Sequence, residues 1–595
     1  MSDTPGFVVG IDLGTTHCAL AFAGAEGEDP VTPLSVPQIV APGEMGQRRL
    51  LPSFLFFPAP EQFGAGALAL PWYPNAGDVV GEFARAQGAA TPMRLVSSAK
   101  SWLSHAGVDR QGEILPWGAD DAVPKVSPVQ ASARYLGHLR AAWEQAHPDA
   151  PLAEQDVVLT VPASFDAVAR DLTVEAAELA GFFEPPILLE EPQAAMYDWL
   201  AQRGDAWRSE LAVGDVVLVV DIGGGTTDFS LIAVDDEDGA LALRRVAVGD
   251  HILLGGDNMD LALAYATKAE LADRGTELDD WQMRALTHAC RAAKETLLGE
   301  TPPQVVPIAI ASRGSRLIGG TVRTELRRET LDALLVDGFF PKVDADARPQ
   351  TPRRAGLQAL GLPYPADAAI TRHLAAFLAR AGDDAGFARP TAILFNGGVT
   401  RSPLVRGRIE EVLTSWLASV DAPPPKVLSG ADAELAVSRG AAHYARVRRG
   451  GGVRIRGGTA QAYYVGIERN ELAVPGLPPR IDAVCIAPFG MEEGTEVALP
   501  QSFGLVVGES VWFRFFGSSS RRDDEVGAVT KPESLVELAP IETTIEAPEG
   551  TEPGQIVQVQ LGARVTEVGT LELAAVEVDG GRRHRLSFDV RGDAG

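Results

Sequence analysis

Cysteine is almost missing from this chain: Cys18, Cys290 and Cys485 are the only three in 595 residues. So few thiols, so widely spaced, make neither a disulfide framework nor a zinc site. Long apolar runs are missing too. None approaches the roughly 18 uninterrupted apolar residues of a transmembrane helix, so no membrane association is expected. The opening MSDTPGFVVGID has no basic segment followed by an apolar stretch and a small-residue cleavage site. No export signal is therefore expected. Together these absences lead to the expectation of a cytoplasmic protein. Positive charge is also in deficit: 52 lysines and arginines face 80 aspartates and glutamates, a net charge of −28. Such a surface repels phosphate over most of its area, which argues against general nucleic-acid binding. The run RRGGGVRIRGG at 448–458 is the best candidate for a local basic patch, and its glycines equally make it a linker.

What is present suggests several compact units. The length is too great for one core and implies roughly three to five domains or subdomains. With 46% apolar and 22% charged residues, the composition is that of a globular protein. Two stretches repeat one pattern. FVVGIDLGTTHCALAFA (7–23) and VVLVVDIGGGTTDFSLIAV (217–235) both read as strand, glycine turn, strand. An aspartate ends the first strand of each: Asp12 and Asp221. They lie about two hundred residues apart, too far for a solenoid repeat and suited to two similar domains. A third apolar run, TAILFNGGVTRSPLVRGRIEEVL (391–413), ends in a glycine pair followed by a helical pattern.

These residue types point to phosphate chemistry. Glycine has no Cβ, so backbone N–H groups can close on phosphate oxygens, and the adjacent threonine hydroxyls add donors. A carboxylate beside such a turn would repel phosphate unless a divalent cation stood between them. Carboxylate and water ligands suit Mg²⁺, which keeps several of its waters in phosphate sites. Asp12 and Asp221 are thus expected to face one hydrated Mg²⁺ from two lobes. The alternative is a pair of glycine-rich hairpins without a ligand, which the duplication disfavours.

Further motifs carry a family resemblance: RLLPSFLFF (49–57), LTVPASFDAVAR (159–170), LLEEPQAAMY (188–197), LGGDNMD (254–260) and NGGVTRSP (396–403). With the two loops, they make the chain resemble the 70-kilodalton heat-shock chaperones of the DnaK type over residues 7–445. The resemblance implies an α/β fold: an actin-like, ribonuclease H-like duplicated ATPase domain, followed by an antiparallel β-sandwich. The implied ranges are 1–447 for the two-lobed nucleotide domain, 448–459 for a Gly/Arg linker and 460–595 for the β domain. It further implies ATP or ADP with Mg²⁺. Thr15, Thr16, Gly223, Gly224, Gly225 and Thr226 would hold the β- and γ-phosphates, with Gly14 and Thr227 in the same loops. Asp12, Glu191 and Asp221 would hold waters of the Mg²⁺, and Asp228 would support the second loop. In LVSSAKSW, Lys100 matches the lysine that positions the attacking water. Only seven of the 52 basic residues are lysine, so an incidental surface cation here would more often be arginine. Pro162 and Arg170 match the pair that relays nucleotide state to the second domain. A strand-end proline and an ordinary helix charge are the alternative. The implied reaction is slow ATP hydrolysis used as a conformational switch.

The adenosine side departs from the family. In ACRAAKETLL, Lys294 keeps its place, but Glu295 stands where the family has an arginine stacked on the adenine. Arg291 and Leu298 also replace polar contacts, and Arg401 remains as the other half of the arginine clamp. Losing one cation–π face costs about 0.5–2 kcal/mol. Gly255, Gly256, Gly397 and Gly398 still allow close approach of the nucleoside. Ile187 aligns with an arginine that receives a J-domain's acidic motif, so a dedicated co-chaperone is expected rather than a generic J-domain protein. Residues 340–390 read as an insertion with an amphipathic helix around 368–381. Beyond about 460 the pattern becomes short alternating runs such as SVWFRFF and IVQVQLGARV, separated by turns. GGVRIRGG replaces the family's acidic, leucine-rich linker, and no helical lid is expected after the last strand. The expected function is an ATP-driven chaperone-like switch acting on an unfolded or partly folded client. A nucleotide-gated scaffold or assembly factor is the alternative, and a small-molecule kinase of the same fold a weaker one.

Overall fold

The computed structural model describes the chain apart from residues 1–5, 28, 106, 183–184, 238–239, 300, 312–320, 351–361, 363, 383–385, 431, 451–452, 457–458, 460, 470–479, 493, 508–509, 519, 545–553, 567–570, 579–581 and 589–595. Two six-stranded sheets share one plan. The first runs Ile187–Glu190, Asp156–Val161, Phe7–Leu13, His17–Gly24, Thr32–Pro33, with Leu51–Pro52 pairing to His17–Gly24. The second runs Lys426–Leu428, Ala392–Asn396, Val216–Ile222, Thr227–Glu237, Ala240–Val248, Ile455–Arg456. In each, the aspartate-bearing strand has a parallel neighbour on one side and its hairpin partner on the other. Both faces of these strands are covered, which explains their near-continuous apolar sequence. Val217, Leu218, Val219 and Val220 are fully buried.

The duplication expected from the two loops is thus a duplication of whole sheets. Helix Glu191–Arg203 follows the first sheet's outer strand, and helix Ala436–Arg448 follows the second's. They cross closely: a Cβ on Gly440 would lie 1.7 Å from the Ala194 carbonyl oxygen. Gly10 likewise has no room, its Cβ falling 2.1 Å from the Ser438 carbonyl oxygen. These glycines let the lobes meet backbone to backbone. The helix expected around 368–381 is Ile370–Ala381, which buries Ile370, Leu374, Phe377 and Leu378 in the second lobe. Much of the remaining 340–390 insertion lies outside the described residues. The three cysteines are buried and unpaired.

Part of the segment read as a linker lies within the second sheet. Arg448 closes the preceding helix, and Ile455–Arg456 joins the second sheet as a parallel edge strand beside Leu243 and Arg244. The physical reason is the open edge of Ala240–Val248, whose main-chain groups need partners. Ile455 buries its side chain, and its N–H donates to the Tyr197 hydroxyl at 2.7 Å.

Beyond it, nine strands from Ala462–Glu468 to Arg583–Phe588 form one antiparallel sheet. This sheet folds over a core that includes Val465, Ile486, Leu499, Phe515, Ile541 and Leu573. Ala167, at the start of helix Ala167–Leu179 in the first lobe, packs into that same core. Among the described residues, no helix is long and apolar enough to cross a membrane.

Candidate active site

Equivalent strands of the two sheets end at one cleft of about 420 Å³. Asp12, Gly14, Thr15, Thr16, Lys100, Glu191, Asp221, Gly223, Gly224, Thr226, Gly256, Lys294, Gly397, Gly398 and Arg401 line it. The glycines act through space more than through φ. A Cβ on Gly224 would lie 1.9 Å from Thr16 Cγ2, and one on Gly225 would lie 2.6 Å from Thr15 Cγ2. The two loops therefore interlock across the lobes. Gly255 is held in the same way, 2.6 Å from the Gly224 carbonyl oxygen. Backbone bonds from Gly256 N to Gly223 O (3.1 Å) and Asp257 N to Gly224 O (2.7 Å) fix this third segment to the second loop.

Other expected residues stand behind the cleft. Gly225 and Gly255 shape the loop contacts. Thr227 is fully buried and donates to the Leu254 carbonyl at 2.8 Å, so its hydroxyl faces the second lobe's interior. Asp228 lies in register with Asp221 on the neighbouring strand. Its carboxylate accepts from the Ser164 hydroxyl, which also meets His251 Nδ1 at 2.8 Å. Ser164 belongs to the first lobe and Asp228 to the second, so this contact crosses between them. Pro162 precedes that serine in the chain and Arg170 follows it in helix Ala167–Leu179, where it reaches Glu190 at 2.8 Å.

The cleft floor is strongly acidic. Burial, then the Glu191 carboxylate, push Asp12 up to about 7, with Lys100 and Thr160 partly offsetting them. Burial and the same Glu191 raise Asp221 well above the carboxylate range. Lys100 pairs with Glu191. Burial works against its charge, but Glu191 and Asp12 outweigh burial and hold its pKa above the ordinary value. Glu191 and Asp12 share this one buried cation while Glu191 also acts on Asp221, an arrangement that favours added positive charge. Among the described residues, no three acidic, histidine or cysteine side chains converge to grip an ion directly.

The side of the cleft expected to take a nucleoside is built around Arg291. Its Nε donates to Asp260 at 2.6 Å, a second nitrogen pairs with Asp257, and Lys294 reaches Asp260 at 2.7 Å. Across the cleft, Ser98 Oγ donates to Asp257 at 3.2 Å and the Phe54 ring lies 5.8 Å from the Arg291 guanidinium. Arg291 therefore ties the lobes together where polar nucleoside contacts were expected to be lost. Glu295 and Leu298 line the same region, and Arg401 is paired with Glu434.

Several site residues escaped sequence reasoning. Glu190 accepts from Arg170 at 2.8 Å and pairs with Arg245 of the second lobe. Asn396 donates to Asp221 at 2.7 Å. The available signal was an uncompensated polar residue at the end of each apolar strand: Glu190 beside Glu191, and Asn396 in ILFNGG.

Residues 8–345 match the family model of the Hsp70 protein. The chain is similar to proteins named Chaperone protein HscA homolog. The Methylococcus capsulatus protein is 30% identical over 439 residues, covering 71% of this chain and 56% of that protein. The Bordetella pertussis protein is 31% identical over 330 residues, 53% of this chain and 44% of its own length. For Pseudomonas aeruginosa the values are 31% over 339 residues, 55% and 46%. The chain thus spans about half the length of the relatives it matches.

Proposed function

Because this chain belongs to the Hsp70 protein family, we propose that its two-lobed domain binds ATP with Mg²⁺, hydrolyses it slowly, and signals its nucleotide state to a client-binding β domain. The observation that carries this reading is the meeting of Asp12 and Asp221, from equivalent strands, in one cleft with Glu191 and Lys100. Asp12, Glu191 and Asp221 suit the waters of Mg²⁺: the three carboxylates line one cleft, and Asp12 and Asp221, whose pKa values are raised by burial and by Glu191, gain from an added cation. When bound, the ion neutralises phosphate charge.

The chain's own residues supply position. The interlocked loops leave backbone N–H groups and the hydroxyls of Thr15, Thr16 and Thr226 for phosphate oxygens. Lys100 is held by Glu191 beside the reacting end, where it orients water and compensates developing charge. Coupling runs through the base of the lobes: Ser164 contacts Asp228, Arg170 contacts Glu190, and Ala167 enters the core of the β domain.

The partners are an unfolded or partly folded client and a dedicated co-chaperone. Ile187 is an apolar strand residue packed beside the lobe interior, so it offers no cation to a J-domain's acidic motif. Strong stimulation by a generic J-domain protein would defeat that part of the reading. Single-turnover ATP hydrolysis, with and without an unfolded peptide, tests the whole. Slow turnover accelerated by peptide is expected; no Mg²⁺-dependent turnover under either condition overturns it.

A further inference from the structure

Asn396 ends the strand Ala392–Asn396 in parallel register with Asp221. Its Nδ2 donates to Asp221 Oδ2 at 2.7 Å. With Asp221 ionised, as a bound cation would hold it, the carboxylate only accepts, so the amide turns its NH₂ group toward it and its oxygen away. The Oδ1 atom is then directed away from Asp221. It is buried with no hydrogen-bond partner among the described residues, and Asn396 is 2% exposed while lining the cleft. An unmet buried acceptor is costly and calls for an explanation.

The first sheet provides a comparison within the molecule. Thr160 stands in the same register beside Asp12, and its Oγ1 donates to Asp12 Oδ1 at 3.4 Å. Each aspartate is therefore steadied by a donor on its parallel neighbour. A hydroxyl is sufficient for that task in the first lobe. The asparagine of the second lobe adds a carbonyl oxygen that finds no hydrogen-bond donor among the described residues. Gly397, the next residue, lets the chain run close beside Asp221. Its φ is 84°, and a Cβ there would lie 2.4 Å from the Ile222 carbonyl oxygen and 2.6 Å from Asp221 Oδ1. The backbone thus passes close against the aspartate, on the residue next to Asn396.

Resting on the nucleotide reading above, we propose that Asn396 is a positioning residue of the cation site. Its amide fixes Asp221, and its carbonyl accepts a hydrogen bond from a water of the hydrated Mg²⁺. Metal-bound water is a strong donor, and groups that orient the ligands of an ion commonly change its affinity 10- to 100-fold, roughly.

Mn²⁺ titration of the ADP-loaded full chain, followed by electron paramagnetic resonance, tests this directly. Asn396→Leu removes donor and acceptor together. Asn396→Thr keeps a donor to Asp221, as Thr160 provides for Asp12, but is too short to offer the second contact. Both are expected to weaken Mn²⁺ binding by about 10- to 100-fold. ADP affinity in chelator, without metal, should stay within about threefold. If Asn396→Leu fails to fold, Asn396→Thr alone carries the comparison. Folded variants with Mn²⁺ affinity within about twofold of wild type overturn the proposal. So does an equal loss of metal-free ADP affinity, which would make the contact one with nucleotide. A wild-type chain that binds no Mn²⁺ with ADP overturns the nucleotide reading itself, a result distinct from either of these.

Discussion

Glu190 of the first lobe and Arg245 of the second form a buried ion pair, and Arg170 takes the other carboxylate oxygen at 2.8 Å. This clamp adjoins the acidic floor of the cleft, since Glu191 follows directly. On its other side is the β domain. The Tyr463 hydroxyl there is pushed up by burial and pulled partly back by Arg170. Charge balance between the lobes and contact with the β domain are thus concentrated at one point.

Glu190→Gln should destabilise the chain strongly. It leaves two buried guanidinium groups without their shared counter-charge, and breaking a buried pair in this way costs about 3–5 kcal/mol. Urea denaturation measures it; a change below about 1 kcal/mol would mean that water already screens the cluster.

Lys100→Ala should lower single-turnover hydrolysis by about 10²- to 10³-fold, the usual scale for removing one preorganised charge from a reacting centre. Nucleotide affinity should change only a few-fold, because the lysine acts on water placement and developing charge more than on ground-state binding. Unchanged turnover in the folded variant would remove Lys100 from the mechanism.

Glu295→Arg should tighten adenine nucleotide binding by about 2- to 30-fold, through a restored stacked cation opposite Arg401 and the loss of a carboxylate near a phosphate-bearing ligand. Calorimetry decides it. Equal or weaker ATP affinity means that the pairing of Arg401 with Glu434 has already withdrawn the clamp.

Stability should fall on mild acidification through His138. This ring is buried, with Nε2 at 2.8 Å from the Pro37 carbonyl oxygen, and burial lowers its pKa to about 4. The unfolded chain takes up a proton near 6.5 and the folded one does not. The contribution is therefore present above 6.5 and lost as pH falls toward 4. Between pH 7 and 4.5, wild type should lose about 2 kcal/mol more than His138→Gln, which keeps a donor for Pro37. Denaturant titrations at the two pH values compare them; parallel losses would show that His138 does not contribute.

Local residue pattern specifies the two aspartate-bearing hairpins, because apolar runs, bare glycines and strand-end carboxylates are local signals. It also determined the helix at 370–381 and the alternating strands beyond 460, since periodicity depends only on near neighbours. Tertiary structure decided the rest. A 2-residue stretch within GGVRIRGG carries no strand signal, and it becomes a strand because the exposed edge of Ala240–Val248 needs hydrogen-bond partners. Thr227 reads as one of a pair of phosphate-loop threonines, yet strand alternation turns it inward to Leu254 while Thr226 faces the cleft. Arg291 reads as a lost nucleoside contact, and only the meeting of two lobes makes it a tie between Asp257, Asp260 and Phe54. Asn396 gains its partner from a strand some 175 residues earlier, through a parallel register that no local pattern encodes. Residue type and spacing specify which groups can bind phosphate and a cation; long-range pairing of strands decides which of them face the same space.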